Sequence, residues 1–297
     1  MSVILAPLYP ALVPFIPELI EIGVNSFYYG LNNLDDSSII TRRPAFNVNN
    51  SITKHSEPNF FDKTEIALLI KNLQTNNINT YLVINEHYYN STTSSLFEKH
   101  FGEIIRLSDA VIISNPSLFQ HLKEIGSKKI IASVGTHVFN KESIKFYKNL
   151  GADTIVLPRS ITTAEAIEFA IAFPELEFEY LILNDFCPFT DGLCRSFHGF
   201  PFQSVCHYAT ISNDIGKFKH NGCRLCNLFE LLKTNNINLK IAGRGFSPEI
   251  IIKNVKILNE IRLNKDLKNK TDFQNFVKNR YISYFGNVCH LNCRKDD

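Results

Sequence analysis

The segment that decides the fold is KKIIASVGTHVFNKESIKFYKNLGADTIVLPRS, residues 128–160. Two short runs rich in β-branched and aliphatic residues flank a stretch with apolar residues at helical spacing, Lys141–Leu150. Asn140 precedes that stretch as a helix N-cap residue, and Gly151 follows it as a helix-terminating glycine. The order strand, helix, strand is typical of a parallel α/β unit.

The same alternation extends along the chain in both directions. It predicts eight strands, at Val3–Ala6, Ser26–Tyr29, Thr80–Ile84, Ala110–Ile113, Lys129–Ser133, Thr154–Leu157, Phe178–Leu183 and Leu239–Ala242. Helical spacing in the intervening and following segments predicts helices at Pro14–Ile22, Asp62–Leu73, Ser95–Arg106, Ser117–Ile125, Lys141–Leu150, Thr163–Phe173, Asn227–Thr234 and Pro248–Glu260.

Eight strand–helix units in about 260 residues predict a TIM-type (β/α)8 barrel. A doubly wound open sheet is the alternative. That fold would carry a glycine-rich turn after its first strand, but Ala6–Pro10 contains no glycine and the chain has no P-loop pattern. The sequence therefore favours the barrel and argues against nucleotide binding of these two kinds.

The composition is that of a globular protein with a large core. The chain has 297 residues, of which 44% are hydrophobic and 20% charged, which excludes a disordered, collagenous or coiled-coil chain. The formal net charge of +2 argues against a general polyanion binder and disfavours RNA without excluding it. No uninterrupted apolar stretch reaches about 18 residues, so we expect no membrane span and a cytoplasmic location.

Two predicted connections are too long for simple crossovers, residues 30–61 and 185–226. Long loops after barrel strands are usually functional, because they lie over the mouth at the carboxyl ends of the strands. We therefore divide the chain into a barrel, residues 1–262, with a cysteine-rich insertion after strand seven, residues 185–226. A short C-terminal extension, residues 263–297, follows.

Polar side chains follow the predicted strands, as a barrel enzyme requires. The candidate catalytic residues are Glu86, His137, Arg159, Asp185 and Arg244. Arg159 and Arg244 would place two permanent positive charges at the barrel mouth, which suits a small anionic substrate or co-substrate. Each residue also has a structural interpretation: His137 as an ordinary loop histidine, and the arginines as ion-pair partners of Glu86 or Asp185.

The seven cysteines all lie in the last two fifths of the chain, at Cys187, Cys194, Cys206, Cys223, Cys226, Cys289 and Cys293. This crowding indicates a metal or redox site rather than a disulfide framework. Four of these thiolates could bind an iron–sulfur cluster. The two short-spaced pairs, Cys223-x2-Cys226 and Cys289-x3-Cys293, could equally bind zinc, and spacing alone leaves both open.

Other chemistries lack their motifs. The chain has no Cys-x3-Cys-x2-Cys run of radical-generating barrel enzymes, no Gly-x-Ser-x-Gly nucleophile elbow and no His-Glu-x-x-His zinc-protease motif. A crowd of thiols is also more often a set of ligands than a single activated nucleophile.

One pattern resembles a known family. Glu179-x7-Cys187-x4-Gly192-x-Cys194, followed by Leu239-Lys-Ile-Ala-Gly-Arg244, is similar to the motifs of the collagenase-like peptidase family U32. The resemblance implies a barrel with a 4Fe-4S cluster and oxygen-independent hydroxylation of ubiquinone precursors or of bases in tRNA or rRNA. It further implies that the cluster ligands are Cys187, Cys194, Cys206 and Cys226, with Cys223 as the alternative to Cys226.

The chain departs from the family pattern at three places. Asp185-Phe186 replaces Gly-Ala before the first cysteine, Ser160 replaces a glutamate after Arg159, and Ala242 replaces the glutamate of the last motif. We therefore expect an iron–sulfur oxidoreductase with its own substrate, and keep two alternatives. These are a peptidase and a non-catalytic iron–sulfur subunit that pairs with a homologous chain. The remaining Cys223, Cys289 and Cys293 would bind a second metal centre.

Overall fold

The protein is a closed barrel of eight parallel strands. The structure, a computed structural model, describes residues 2–31, 59–85, 91–183, 191, 223–264 and 269–286, and describes only the backbone of 91–96. The strands follow one another around the barrel in chain order, and β8 pairs with both β7 and β1. They are β1 Ile4–Leu8, β2 Ser26–Gly30, β3 Asn79–Ile84, β4 Ala110–Ile113, β5 Ile130–Ala132, β6 Thr154–Val156, β7 Glu177–Leu183 and β8 Ile237–Ile241. The predicted (β/α)8 barrel is confirmed.

Helices surround the barrel. Within the described ranges they are α1 Ile16–Glu21, α2 Lys63–Thr75, α3 Ser91–Leu107, α4 Leu118–Ile125, α5 Lys141–Leu150, α6 Thr163–Ala172, α7 Leu228–Leu231, α8 Pro248–Leu263 and α9 Lys270–Phe285. Short 3-10 turns lie at Pro10–Phe15, Val134–Thr136 and Leu225–Asn227. Among the described helices, none combines the length and the apolarity that a bilayer crossing needs.

The apolar residues form two separate cores. The larger one fills the space between the outer face of the strands and the helices, and contains fully buried side chains such as Phe27, Phe101 and Tyr180. The smaller one consists of Tyr28, Val83, Ala110, Ile112, Ile131 and Val156. Because neighbouring strand residues point to opposite faces, this second core is the barrel interior.

Helix-capping residues define both ends of α5. The Asn140 side chain accepts a hydrogen bond from the Ser143 amide, and the Ser143 hydroxyl accepts one from the Asn140 amide. Gly151 ends α5 with a φ of 98°, in the left-handed region that favours glycine. The local sequence thus determines both ends of this helix, as predicted.

Strand boundaries differ from the prediction where the residue type misled. Pro7 argued for ending the first strand at Ala6, since proline lacks an amide donor. β1 nevertheless pairs with β2 through Leu8. The last strand, β8, begins at Ile237 rather than at the predicted Leu239, and it ends at Ile241, so that Ala242 lies just beyond it.

Both long connections leave and rejoin the barrel at the carboxyl ends of their strands. After β2, Leu31 forms an isolated bridge with Phe60, whose amide donates to the Gly30 carbonyl at 2.9 Å. After β7, the chain returns with the Arg224 amide donating to the Ile182 carbonyl at 2.9 Å. The cysteine-rich insertion, residues 185–226, lies outside the described residues apart from Asp191 and 223–226.

The helix α9 was not predicted, and only two of its side chains are fully buried. These are Phe273 and Val277, and the Phe273 ring lies 5.4 Å from the ring of Phe229 in α7. The predicted division of the chain at residue 262 falls in the last turn of α8. The α9 helix packs on α8 and on the turn Leu225–Asn227, next to the barrel.

We predict that Phe273→Ala lowers the free energy of unfolding by about 3–5 kcal/mol, because it leaves a cavity under α9. Phe146→Ala is the matched control: the Phe146 side chain is half exposed, so its loss should cost less than about 1 kcal/mol. Urea unfolding of both variants measures the difference. Equal losses of unfolding free energy in the two variants would mean that α9 does not depend on the burial of Phe273.

Candidate functional site

A pocket opens at the carboxyl ends of the barrel strands. It has a volume of about 500 Å³, including the part open to solvent. The mouth of a barrel is where enzymes of this fold bind substrate. The described lining combines apolar side chains from the inner core with polar and charged ones, namely Tyr28, Val83, Asn85, Ile112, Ser133, Val134, Val156, Arg159, Leu181, Lys240, Ala242, Gly243 and Arg244.

A buried ion pair lies within the barrel, against this pocket. Lys240 on β8 donates from Nζ to Oε2 of Glu179 on β7 at 2.5 Å, and the two side chains are 8% and 1% exposed. The ammonium also lies 4.5 Å from the centre of the Tyr28 ring. Burial lowers the pKa of Lys240, Glu179 opposes that shift, and Arg244 and Arg159 add to it.

Arg159 is held in place by a carboxylate from the insertion. Its amide and its guanidinium Nη1 donate to the two oxygens of Asp191, which is almost fully buried. A guanidinium has five N–H donors, so Arg159 can bind Asp191 and a ligand together. The partner anticipated from the sequence was Glu86 or Asp185, which both lie outside the described residues.

Arg244 reaches the pocket from a loop that requires glycine on both sides. Gly243 and Gly245 have φ values of 113° and 88°. The guanidinium Nη1 donates to Oδ1 of Asn59 at 3.0 Å. A Cβ on Gly30 would lie 2.1 Å from that guanidinium and 2.0 Å from the Asn59 oxygen, so only glycine at position 30 allows this contact.

Arg224 ties the returning end of the insertion to the rest of the mouth. Its guanidinium donates to the carbonyls of Ile161 and Arg159, and stacks 4.5 Å from the centre of the Tyr180 ring. The flanking Cys223 and Cys226 are both buried and are present as thiols. Arg224 therefore fixes these two thiols relative to the loop that carries Arg159.

His137 belongs to the same mouth but to another part of it. It follows the turn Val134–Thr136 with a φ of 60°, a backbone conformation in which histidine is enriched among non-glycine residues. Ser133 and Val134 of this loop line the pocket, whereas His137 is not part of its described lining.

Most of the predicted metal ligands fall outside the described residues. This applies to Cys187, Cys194, Cys206, Cys289 and Cys293, and also to Glu86 and Asp185. Among the side chains that the structure describes, no three histidines, cysteines or carboxylates come together as a metal site. The 4Fe-4S cluster and the second metal centre therefore stay predictions.

Four residues that shape the site were not predicted as site residues: Lys240, which stands only within the quoted family motif, and Asn59, Asp191 and Arg224. For Lys240 and its partner Glu179 a signal was present. Each is a charged residue inside an otherwise apolar strand, and the two strands carry opposite charges. Charges in that position are buried only when paired. The other three depend on contacts between distant segments.

We predict that Glu179→Gln destabilises the protein by about 3–5 kcal/mol, because it leaves the Lys240 charge buried and unpaired. Replacing both partners by Glu179→Leu and Lys240→Met should restore most of that loss. Glu142→Gln breaks the exposed pair with Lys145 and should cost less than about 1 kcal/mol. If Glu179→Gln and Glu142→Gln unfold at the same denaturant concentration, the buried charge of Lys240 does not depend on Glu179.

Comparison with known proteins identifies relatives of this chain. Among curated proteins, the chain is similar to tRNA hydroxylation protein P of Haemophilus influenzae, with 28% identity over 116 residues. The match to its counterpart from Escherichia coli has 25% identity over 116 residues. Each match covers 38% of this chain and 25% of the relative, so the chain matches about a quarter of the length of these proteins.

A solved structure described as the U32 peptidase Mk0906 has the same fold, with a TM-score of 0.50. It is 12% identical and covers 82% of this chain and 93% of its own. The model of the family described as "Peptidase family U32" matches residues 40–199, a little over half of the chain. On this match and on the barrel that carries it, the chain belongs to peptidase family U32.

Proposed function

We propose that this protein binds a small carboxylate at the barrel mouth, beside a 4Fe-4S cluster, and takes part in a hydroxylation-type modification. The observation that carries the proposal is the convergence of Arg159, Arg244 and Lys240 on one pocket. Arg159 follows β6, whereas Lys240 lies within β8 and Arg244 follows that strand.

The pocket is suited to an anion of limited size. Its apolar walls, such as Val83, Ile112 and Leu181, lower the local polarity, which strengthens any charge–charge contact made there. The Arg159 and Arg244 guanidinium groups offer paired N–H donors that match the geometry of a carboxylate. Asn85 also lines the pocket, and its buried Oδ1 has no hydrogen-bond donor within the described structure. It can accept one from a ligand hydroxyl.

The described cysteines suit a cluster at this position. Cys223 and Cys226 are buried thiols that flank Arg224, and the Arg224 amide is bonded to β7 one residue before that strand ends. Cys187 leaves the same strand four residues after its end. Cys226, together with Cys187, Cys194 and Cys206, would hold the cluster, which supplies electron transfer or a binding site for an oxygen donor. Fe–S clusters are commonly ligated by four thiolates in this way.

The relatives support the type of reaction. The curated proteins that match this chain are described as tRNA hydroxylation proteins. In the present chain, Arg159 and Arg244 would orient the carboxylate, Arg224 would fix the cluster-bearing segment, and the barrel interior would keep water out. His137, Glu86 and Asp185 stay candidates for proton transfer. The peptidase and partner-subunit alternatives stay predictions, as no described contact favours them.

Anaerobic purification tests the cluster. We expect a brown protein with broad visible absorbance, four irons and four sulfides per chain. Cys226→Ala should lose the colour, whereas the matched Cys223→Ala should keep it. A colourless protein that contains zinc, or full colour in Cys226→Ala, would contradict the assignment.

Calorimetric titration with malonate tests the anion pocket. Arg244→Gln should weaken malonate binding about tenfold or more, because it removes a charged hydrogen-bond donor. Arg280→Gln is the matched control, since Arg280 lies on α9 and pairs with Glu260 of α8. Malonamide, which lacks the charges, should not bind. Equal malonate affinity in the two variants would count against the pocket.

A further inference from the structure

The buried pair of Lys240 and Glu179 has no evident structural need. Ion pairs inside proteins are often no more stabilising than apolar side chains of similar volume, because both charges lose their hydration. The rest of the inner core is apolar or aromatic and packs well without charges. The pair nevertheless lies where the core meets the pocket, and Lys240 lines that pocket.

The surroundings of Lys240 fix the position of its amine. Nζ contacts the Glu179 carboxylate at 2.5 Å on one side and the Tyr28 ring at 4.5 Å on another. The Tyr28 hydroxyl donates to the Ile241 carbonyl at 2.9 Å, which fixes the ring. Lys240 lines the pocket, and 8% of its side chain stays exposed.

We propose that Lys240 is an amine nucleophile that forms an imine with the carbonyl group of a small oxo acid bound in this pocket. The proposal rests on the anion site proposed above, since Arg159 and Arg244 would hold the carboxylate of the same molecule. It adds a covalent role for Lys240 and an acid–base role for Glu179.

The step balances within the pocket. Glu179 accepts a proton from the Lys240 ammonium, and the neutral amine attacks the carbonyl carbon, whose oxygen becomes a hydroxyl after protonation. Loss of that hydroxyl as water forms the C=N bond and a protonated imine. The ammonium has then lost two protons to the water, and Glu179 ends as the carboxylate it was. No oxidant or reductant is consumed.

The electrostatics support this role. Burial lowers the pKa of Lys240, and the positive charges of Arg244 and Arg159 lower it further, whereas Glu179 raises it. Desolvation of this kind is how lysine amines become nucleophiles near neutral pH.

Borohydride trapping tests the proposal on the unmodified protein. The protein is incubated with pyruvate, treated with sodium borohydride and analysed by intact mass and peptide mapping. We expect one reduced pyruvate per chain, located at Lys240, and none with pyruvate or borohydride alone. Exposed lysines such as Lys145 serve as internal controls for non-specific adducts.

Three variants test the roles of Lys240, Glu179 and Arg244 one at a time. Lys240→Arg keeps the positive charge but cannot form the imine, so it should bind pyruvate without trapping it. Glu179→Asp keeps a carboxylate and should retain some trapping, whereas Arg244→Gln should require about tenfold more pyruvate. Circular dichroism checks that each variant is folded. The peptide map of the protein without substitutions tests the proposal even if a variant fails to fold.

Three results would overturn the inference. If pyruvate binds by calorimetry but no adduct forms at Lys240, the covalent step is wrong while the anion site stands. If neither pyruvate nor malonate binds, the anion site and this inference fail together. Adducts spread evenly over exposed lysines also count against Lys240. The colour of the cluster is measured separately and bears on neither result.

Discussion

The constraint on which the whole structure depends is the closure of the parallel strand ladder by β8. Its Leu239 and Lys240 register with Ile4 and Leu5 of β1, and its other edge pairs with β7. Because every strand is parallel, closure brings eight carboxyl ends to one rim. The segments that carry Arg159 and Arg244 meet at this rim, and Asp191 and Asn59 contact them there.

The sequence predicted the architecture well because each strand–helix unit carries its own local information. Apolar spacing located all eight strands, and capping residues such as Asn140 and Gly151 located helix ends. Prediction failed where the decisive energy is tertiary. Pro7 belongs to a strand because its neighbours pair on both sides, and α9 is held in place because Phe273 and Val277 pack on the barrel helices.

The candidate site divides in the same way. The position of Arg159 and Arg244 at strand ends followed from the predicted topology. The partners that orient them could not be predicted, because Asp191 and Asn59 arrive from long connections whose paths are not encoded by any local period. The pair of Lys240 and Glu179 could be predicted only in part. Their charges inside apolar strands were visible in the sequence, but which charge faced which required the register of β7 against β8.

The bridge between Leu31 and Phe60 bears on how such a barrel can change its specificity. The chain between them leaves and re-enters at a single point, so its length is not coupled to the spacing of β2 and β3. The entropy of closing such a loop grows only slowly with the number of residues. Evolution could therefore lengthen, shorten or exchange this segment as a module, and retune what reaches Arg244 through Asn59, while the eight strands keep their register.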